Sequence, residues 1–595
     1  MKPKTLISFI LPALLLALAA AARFAALDSR PMHADEAVQT YIFSELLERG
    51  DYHYDPSHFH GPLPHFINLP LLRALGIHSL DTLQAWQFRL QPALAGLLLA
   101  LLAGACAGSA SAATRHRAMF LAAVSPTLVY FSRMAIHETL LALCALAVPF
   151  AAARWLEHFK HKRACLDACA GSGGLQTAGQ GATRLAFEKH LDAQTGERRD
   201  CIASGGMETA PPSCRSRSFH GWLLVAAAAF GCMHATKETW SVIAFSWAVA
   251  ALVLIVLCPR KARDAARAAG PWRIALAATL AVAVAMGISF LLYSDFGRRP
   301  AGFSDAWRTL FAYRTGGGHE KPWWYFLADC LGFYRAGNWF AGEGVICLLA
   351  LAGGVAQAGR LSSLSLRSSL RNRRVRFTTF PAVVEPVASL ETQKPSGPPG
   401  RGAADIPALP LFLAVSGAAQ VVVYSIIKYK TPWLMLVPLA SFVPLAAHGW
   451  TRLRGGARAR ARFSWRAAAC ALAIAAGLLA PMVSSSFIAP AGADFRFVYA
   501  PTLPEADAEL ARIAAALPAD ARVAVIGDDY WPLPWYFRAM RERAGYFSEA
   551  EAPAPAQLRE FALVIHAGAQ LDPAVTGRGW RVLELRPGYY VSVSR

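Results

Sequence analysis

Two adjacent carboxylates follow the first long apolar stretch of the chain, in the segment His33-Ala34-Asp35-Glu36. On a short helix, side chains at neighbouring positions diverge by about 100°. Asp35 and Glu36 then do not face the same substrate atom, and one acts while the other orients. A single ionised carboxylate beside an acceptor hydroxyl is suited to general-base catalysis. We therefore predict that Asp35 and Glu36 are the catalytic residues.

The chain that must position this pair is unusually apolar. Of its 595 residues, 55% are hydrophobic and 16% are charged, with a mean hydropathy of +0.32, whereas soluble proteins carry about 25% charged residues. Eleven stretches are long and apolar enough for a transmembrane helix of about 20 residues. In a soluble protein, a net charge of +20 would suggest binding to nucleic acid. Here the excess of basic residues lies in short loops between the apolar stretches. We predict a polytopic all-α membrane protein that contacts the bilayer and no nucleic acid.

The distribution of Lys and Arg predicts the orientation of the spans, because basic residues near spans stay on the cytoplasmic side. Lys2 and Lys4 indicate a cytoplasmic N-terminus in a cell-membrane protein. Segment 28–88 contains eight acidic and three basic residues, and we predict that it is an outer catalytic loop. Segments 157–218 and 358–404 are predicted as cytoplasmic linkers, and 294–339 as a second outer loop. The predicted spans are 6–27, 89–107, a third ending at 131, 138–156, 219–235, 239–258, 274–293, 340–357, 406–427, 432–450 and 467–488.

The remaining 107 residues, 489–595, are predicted to form a small extracytoplasmic α/β accessory domain. Segment 504–517 has helical apolar spacing, whereas 522–527 and 561–566 have the composition of buried strands, and 580–594 that of a hairpin. Between the strands, Trp531 and Trp535 lie in the run DDYWPLPWY. Two interpretations stay open: a helix start with core packing, or an aromatic wall that contacts sugar or lipid.

Three short motifs resemble one family. They are the Asp35-Glu36 pair, the run SRMAIHE at 132–138 and the run ATKET at 235–239. They resemble motifs of the dolichyl-phosphate-mannose protein mannosyltransferases, which are C-type membrane glycosyltransferases that use lipid-phosphate sugars. The runs at 33–62 and 528–536 look more narrowly like a prokaryotic branch that includes proteins associated with archaeal glycosylation and flippase activity. No soluble domain is inserted between the middle spans, as it is in the fungal enzymes, so a protein acceptor is not implied.

The resemblance implies a C-type architecture and a hexosyltransferase, mannosyltransferase-like activity. It implies that Asp35 is the catalytic base, that Glu36 orients it or the sugar, and that a polyprenyl-phosphate sugar is the donor, displaced with inversion. The leaving phosphate needs preplaced cations, although Lys and Arg at span ends also snorkel to headgroups. Acidic neighbours of these cations are candidate ion-pair partners. The predicted substrate-binding set is His60, Arg133, Glu138, Lys237, Glu238, Lys428, Lys430, Trp531 and Trp535.

No cofactor is predicted. Five histidines at 33, 53, 58, 60 and 65, with acidic residues nearby, leave a divalent metal as an alternative, but no ligand is assigned. Hydrogen bonding to sugar hydroxyls is the preferred role of His60. Two other functions compete with transfer: a lipid-linked-sugar flippase or transporter, and a non-catalytic scaffold for glycosylation.

Overall fold

The computed structural model describes most of the chain outside four longer segments. The described residues are 3–58, 60–108, 111–173, 219–259, 263, 267, 270–312, 319–336, 339–357, 408–453, 465–492, 494–568 and 579–594. The linker predicted at 358–404 lies outside them, as does most of the linker predicted at 157–218.

Helices dominate the first 488 residues. The helices of the N-terminal half are α1 (Pro3–Phe24), α2 (Ala34–Arg49), α3 (Leu63–Ala74), α4 (Ala85–Phe88), α5 (Leu90–Cys106), α6 (Ala112–Val124), α7 (Pro126–Ser132), α8 (Glu138–Gly173), α9 (Phe219–His234), α10 (Trp240–Leu257), α11 (Pro271–Tyr293) and α12 (Ala301–Ala312). They are followed by α13 (Gly344–Gln357), α14 (Ala408–Ile426), α15 (Leu436–Leu453), α16 (Trp465–Ile474) and α17 (Ala480–Val483). Helix α17 is flanked by π-helical turns at Ala475–Leu479 and Ser484–Ile488.

Within the described part of the chain, seven helices are long and apolar enough to cross a membrane, and three shorter apolar helices accompany them. Each coincides with one of the predicted spans. The third predicted span is instead divided into α6 and α7. Ser125 accepts a hydrogen bond from the Leu128 N–H and caps α7, and Pro126 at the first helical position removes the N–H that would continue α6. The count of eleven spans stays a prediction.

The first part of the segment predicted as a cytoplasmic linker is helical. Helix α8 continues past the predicted end of its span as far as Gly173. The run EHFKHKRACLDACA that extends it contains neither Gly nor Pro and is rich in helix-forming residues. Its polarity indicated a loop, but intrinsic helix propensity extends the helix beyond the apolar stretch.

Segment 28–88, predicted to be the outer catalytic loop, is largely helical, because α2 and α3 both lie in it. Helix α2 begins with a capping box: the Asp35 N–H donates to His33 Nδ1, and the His33 N–H donates to the Glu36 carboxylate. It ends at Gly50, whose φ of 71° is in the left-handed region that suits glycine after a helix. The first turn of α2 is thus fixed at the position of the acidic pair.

The C-terminal tail contains a five-stranded sheet. After a two-stranded hairpin in the second outer loop, β1 (Tyr334–Ala336) and β2 (Trp339–Ala341), the tail strands are β3 (Val523–Ile526), β4 (Ala544–Phe547), β5 (Leu563–Ala567), β6 (Arg581–Arg586) and β7 (Tyr589–Ser594), with helices α18 (Pro504–Ala515), α19 (Leu533–Tyr536) and α20 (Pro555–Leu558). The strand order is β4-β3-β5-β7-β6, with β3 parallel to both β4 and β5. The predicted helix, two strands and hairpin are all present. Strand β4 escaped prediction because it is only four half-buried residues long and contains Gly545.

The tail packs on the outer catalytic loop rather than standing away from it. Arg541 pairs with Glu48 of α2, at 2.8 and 2.5 Å. Near the start of the tail, Thr502 Oγ1 donates to the Met32 carbonyl at 2.7 Å, and Trp531 meets Tyr41 edge to face. The tail therefore covers the segment that carries the acidic pair, although the boundary at residue 488 stays a prediction.

Candidate active site

Glu36 is completely buried and its two carboxylate oxygens accept five hydrogen bonds. Arg89 donates two of them at 2.8 Å, and Arg30 a third at 3.1 Å. Backbone N–H groups of Ala135 and His33 supply the others, at 2.8 and 3.2 Å. Burial alone would raise the pKa of Glu36, but the two guanidinium groups hold it well below its ordinary value. Glu36 stays ionised and joins the start of α2 to α5 and to the segment before α8.

Of the two roles that the resemblance implies for Glu36, this geometry fits the orientation of Asp35 and does not support contact with the sugar. A carboxylate with 0% exposure and five donors has no free lone pair for a sugar or an acceptor proton. Its function in the structure is to position helix α2. As the divergence of neighbouring side chains predicts, Asp35 and Glu36 have different roles. The role of Glu36 is structural and involves no contact with a sugar or an acceptor.

Asp35 has the opposite environment. Its side chain is partly exposed, and no donor among the described residues forms a hydrogen bond to its carboxylate. Its backbone N–H is held by His33, and the neighbouring Glu36 is fixed by the two arginines. The Asp35 carboxylate is thus presented from a rigid helix start with its oxygen lone pairs uncommitted, as a general base requires.

Two residues that the sequence analysis missed lie near enough to this carboxylate to interact with it electrostatically. His319, from the second outer loop, and Tyr499, from the start of the tail, share a hydrogen bond of 2.6 Å between Nδ1 and Oη. His33 Nε2 donates to the Tyr499 carbonyl at 3.1 Å. Burial lowers the pKa of His319, and burial together with the nearby Asp35 carboxylate raises that of Tyr499. No local motif marks His319 or Tyr499, because they are 180 residues apart in the chain.

A second polar cluster contains His60, Lys237 and Glu238. His60 pairs with Lys237 in an isolated antiparallel bridge, and His60 Nδ1 donates to Glu238 at 3.3 Å. A Cβ at Gly61 would lie 2.2 Å from the Ala235 carbonyl oxygen, so this close approach requires glycine. The structure thus brings together residues predicted from two separate motifs.

Lys237 is committed within this cluster. Its Nζ lies 2.5 Å from Glu138 Oε1, and both side chains are less than 10% exposed. Burial would lower the pKa of Lys237, but Glu138 and Glu238 raise it above its ordinary value. The same cation, with His60, lowers the pKa of Glu238 against the opposite effect of burial. The assignment of Lys237 as a phosphate contact is not supported, because two carboxylates surround its single charge.

Replacement of Lys237 by Ala should therefore destabilise the protein. The variant leaves Glu138 buried without its cation, which costs about 3–5 kcal/mol. A second change, Glu138→Gln, should recover part of the loss. Thermal unfolding of the purified variants in detergent measures both effects. A fully stable Lys237→Ala protein that has lost only donor binding would restore the phosphate role.

Arg133 binds backbone rather than an exposed anion. Its guanidinium donates to the carbonyls of Ala25 and Ala26, at 2.6 and 2.7 Å, and more weakly to those of Ala22 and Arg23. These carbonyls end helix α1, where the helix dipole favours a cation. The substrate-binding prediction for Arg133 is therefore replaced by a capping role.

The remaining predicted cations, Lys428 and Lys430, lie on the turn that follows α14. Lys428 is exposed, and among the described groups its Nζ has no hydrogen-bond partner. Lys430 is buried and its Nζ donates to the Ile427 carbonyl. The Lys321 N–H donates to the Lys428 carbonyl at 3.4 Å, and Lys321 Nζ lies 5.8 Å from the centre of the Tyr499 ring. Lys321, which was not predicted, thus lies beside Tyr499 and is joined through the backbone to Lys428, whereas Lys430 is occupied.

The two aromatic residues that were predicted to bind substrate, Trp531 and Trp535, have different environments. Trp531 is half-buried between Tyr41 and Tyr530, as the packing interpretation predicts. Trp535 is 8% exposed and carries the Arg538 guanidinium 3.9 Å from its ring centre. It also lines a cleft between the tail and the outer loop.

Metal binding has no support from the described geometry. Among the residues that the structure describes, no three His, Cys, Asp or Glu side chains converge as a metal site. His60 and His137 lie 4.8 Å apart between ring centres, and His137 Nε2 bonds to the Gly61 carbonyl. The absence of a cofactor stays a prediction.

The environment of Glu36 also predicts a pH dependence of stability. The pKa of Glu36 is lower in the folded state than the ~4.3 of an unfolded chain. Its contribution is therefore complete above that pH and is lost as the pH falls towards the folded value. The difference in melting temperature between wild type and Glu36→Gln should be constant from about pH 6 to 8 and should narrow below about pH 4.5. A difference that widens on acidification would contradict this assignment.

No family model matches the sequence, and no curated protein matches it either. Solved structures do match. ArnT from Cupriavidus metallidurans, bound to undecaprenyl phosphate, has a TM-score of 0.50 at 14% identity, covering 98% of this chain and 97% of that chain. Its apo form has a TM-score of 0.52 at 15% identity, with the same coverage. The archaeal oligosaccharyltransferase AglB from Archaeoglobus fulgidus, solved with an inhibitory peptide and a dolichol-phosphate, has a TM-score of 0.48 at 11% identity, covering 95% of this chain and 70% of that chain.

At such low identities the ArnT matches establish a fold alone. They extend over nearly the whole of both chains, and ArnT is a C-type glycosyltransferase. The predicted architecture is therefore confirmed: this chain has the C-type glycosyltransferase fold, a polytopic helical membrane region followed by a small C-terminal region with a sheet.

Proposed function

We propose that this chain is a membrane glycosyltransferase that moves a sugar from a polyprenyl-phosphate donor to an acceptor hydroxyl on the extracytoplasmic face. The observation that carries the proposal is the Asp35 carboxylate, which is uncommitted and partly exposed on a helix start fixed by buried ion pairs. The shared fold adds support, because ArnT has been solved bound to undecaprenyl phosphate.

The chemistry is a single displacement. Asp35 accepts the proton of the acceptor hydroxyl while the hydroxyl oxygen bonds to the anomeric carbon of the donor sugar. The bond between that carbon and the phosphate oxygen breaks, and polyprenyl phosphate leaves with the electron pair. Attack opposite the leaving group inverts the anomeric configuration. Tyr499 and His319, bonded to each other beside Asp35, position the segment that carries the base.

The leaving phosphate gains negative charge, which preplaced cations stabilise best. Lys321 and Lys428 are the best candidates, because they lie on neighbouring segments joined by a backbone hydrogen bond. The three other predicted cations are occupied: Arg133 and Lys430 by backbone carbonyls, and Lys237 by carboxylates. The donor phosphate therefore lies, in this proposal, between the second outer loop and the turn that follows α14.

Removal of these two ammonium groups should weaken donor use. A charge-assisted hydrogen bond contributes about 1.5–3 kcal/mol, so Lys321→Ala and Lys428→Ala should each lower kcat/KM for the lipid-linked sugar about tenfold or more. Arg49→Ala is the matched control, because Arg49 is an outer cation with a 77% exposed side chain. If both lysine variants were as active as the control, the donor phosphate would not bind at this position.

A panel of radiolabelled polyprenyl-phosphate sugars tests the function itself. Purified wild-type protein in lipid should release label from at least one donor, and the preferred donor identifies the sugar, for which a mannosyl or another hexosyl group is the first choice. Retention of label on every lipid would contradict the proposal.

A further inference from the structure

A cleft of about 500 Å³ lies between the outer catalytic loop and the tail. This volume is within the range of ~300–1,000 Å³ typical of small-molecule sites. One wall comes from the segment before α2 and from the start of α4, and the other from α18 and α19 of the tail. The segment before α2 leads directly to Asp35, so the cleft and the proposed base lie on one continuous stretch of chain.

The side chains that line this cleft include aromatic rings, an uncharged amide, and acidic and basic groups in equal number. Trp86 is 39% exposed on one wall, and Trp535 lies on the other with Arg538 stacked on its ring. The exposed side chains of Asp28 and Gln84 add hydrogen-bonding oxygens. Aromatic faces cover the apolar faces of sugar rings, while carboxylate, amide and guanidinium groups bind the hydroxyls at their edges.

The charges on the walls favour a neutral ligand. Two acidic residues, Asp28 and Asp507, face two basic ones, Arg30 and Arg538, which gives no net charge. Arg30 is already paired with Glu36, and Asp507 accepts a hydrogen bond from the Tyr536 hydroxyl. A phosphate would meet no excess of positive charge here. The lipid-linked donor is thus a poor occupant.

We propose that this cleft binds the acceptor and that the acceptor is a neutral saccharide. The assignment rests on the proposed transferase function. In this proposal the saccharide lies between Trp86 and Trp535, against the segment 28–32 that continues along the chain to Asp35. The tail then contributes one wall of the acceptor site, in addition to the positioning of the base through Tyr499.

Binding of short neutral oligosaccharides to the full-length protein in nanodiscs tests the assignment. Isothermal titration with gluco-, manno- and galacto-oligosaccharides, and with phosphorylated forms of the same sugars for comparison, should detect at least one neutral ligand. Trp86→Ala should raise its Kd about tenfold or more, a loss of about 1.4 kcal/mol. Asp28→Asn should also raise it. Trp324→Ala is the matched control, because Trp324 is 45% exposed on the second outer loop and outside the cleft, and it should leave the Kd within about twofold.

Three results would overturn the inference: no binding by any member of the panel, binding that Trp86→Ala does not weaken, or a preference for phosphorylated sugars. The second of these would identify Trp86 as an interfacial anchor only. Failure of the proposed function is distinguishable, because it appears as wild-type protein that releases no label from any polyprenyl-phosphate sugar, whatever the titration shows.

Discussion

Asp35→Asn should reduce sugar transfer by about 10²–10⁴-fold, the contribution typical of a general base, while the protein stays folded and inserted. The amide has nearly the shape of the carboxylate but cannot take up the acceptor proton. No hydrogen bond in the described structure depends on the Asp35 side chain, so the substitution removes chemistry without removing a structural contact. The initial rate of transfer from the preferred labelled donor measures the effect.

The matched control for this variant is Glu45→Gln. Glu45 lies on the same helix, is exposed and makes only a long ion pair of 3.7 Å with Arg49, so the change removes one carboxylate from α2 at no cost to the site. Its transfer rate should equal that of wild type. Normal turnover by Asp35→Asn would exclude Asp35 as the base.

Glu36→Gln should destabilise the protein by about 3–5 kcal/mol, the cost of removing one member of a buried ion pair. Arg89 and Arg30 both donate to this carboxylate, and Arg89 is itself completely buried. The neutral amide leaves their charges without a counter-ion and turns an acceptor oxygen into a donor. Thermal unfolding against the Glu45→Gln control measures the loss.

The result separates positioning from catalysis. If Glu36 acts through structure, the fraction of Glu36→Gln protein that stays folded at low temperature should keep a measurable transfer rate and an unchanged pH profile of kcat. A variant as stable as wild type that transfers no sugar would instead assign Glu36 to the reaction.

Sequence patterns predicted the features that depend on neighbouring residues. Apolar stretches located the helices, and strand composition and a Pro-Gly turn located β3, β5 and the β6–β7 hairpin. The divergence of adjacent side chains separated the roles of Asp35 and Glu36. Each of these features is determined by local backbone geometry and hydrophobicity.

Such patterns could not predict contacts between residues that are distant in the chain. Arg89 is 53 residues from Glu36, and Lys237 is 99 residues from Glu138. A basic residue at the end of a span has the same sequence signature whether it binds phosphate, caps a helix or neutralises a buried acid. Only the packing of the spans reveals that Arg133 caps α1 and that Lys321 lies beside Tyr499.

Transfer from a doubly labelled donor tests the proposed function most directly. A polyprenyl phosphate labelled in the lipid and, with a second isotope, in the sugar is incorporated with wild-type protein into liposomes that contain a saccharide acceptor. The two labels should separate: sugar label should appear in the acceptor with inverted anomeric configuration, and lipid label should stay in polyprenyl phosphate. Asp35→Asn should keep them together. If wild-type protein moved the intact donor across the bilayer with both labels still joined, the chain would be a flippase and the transferase function would be wrong.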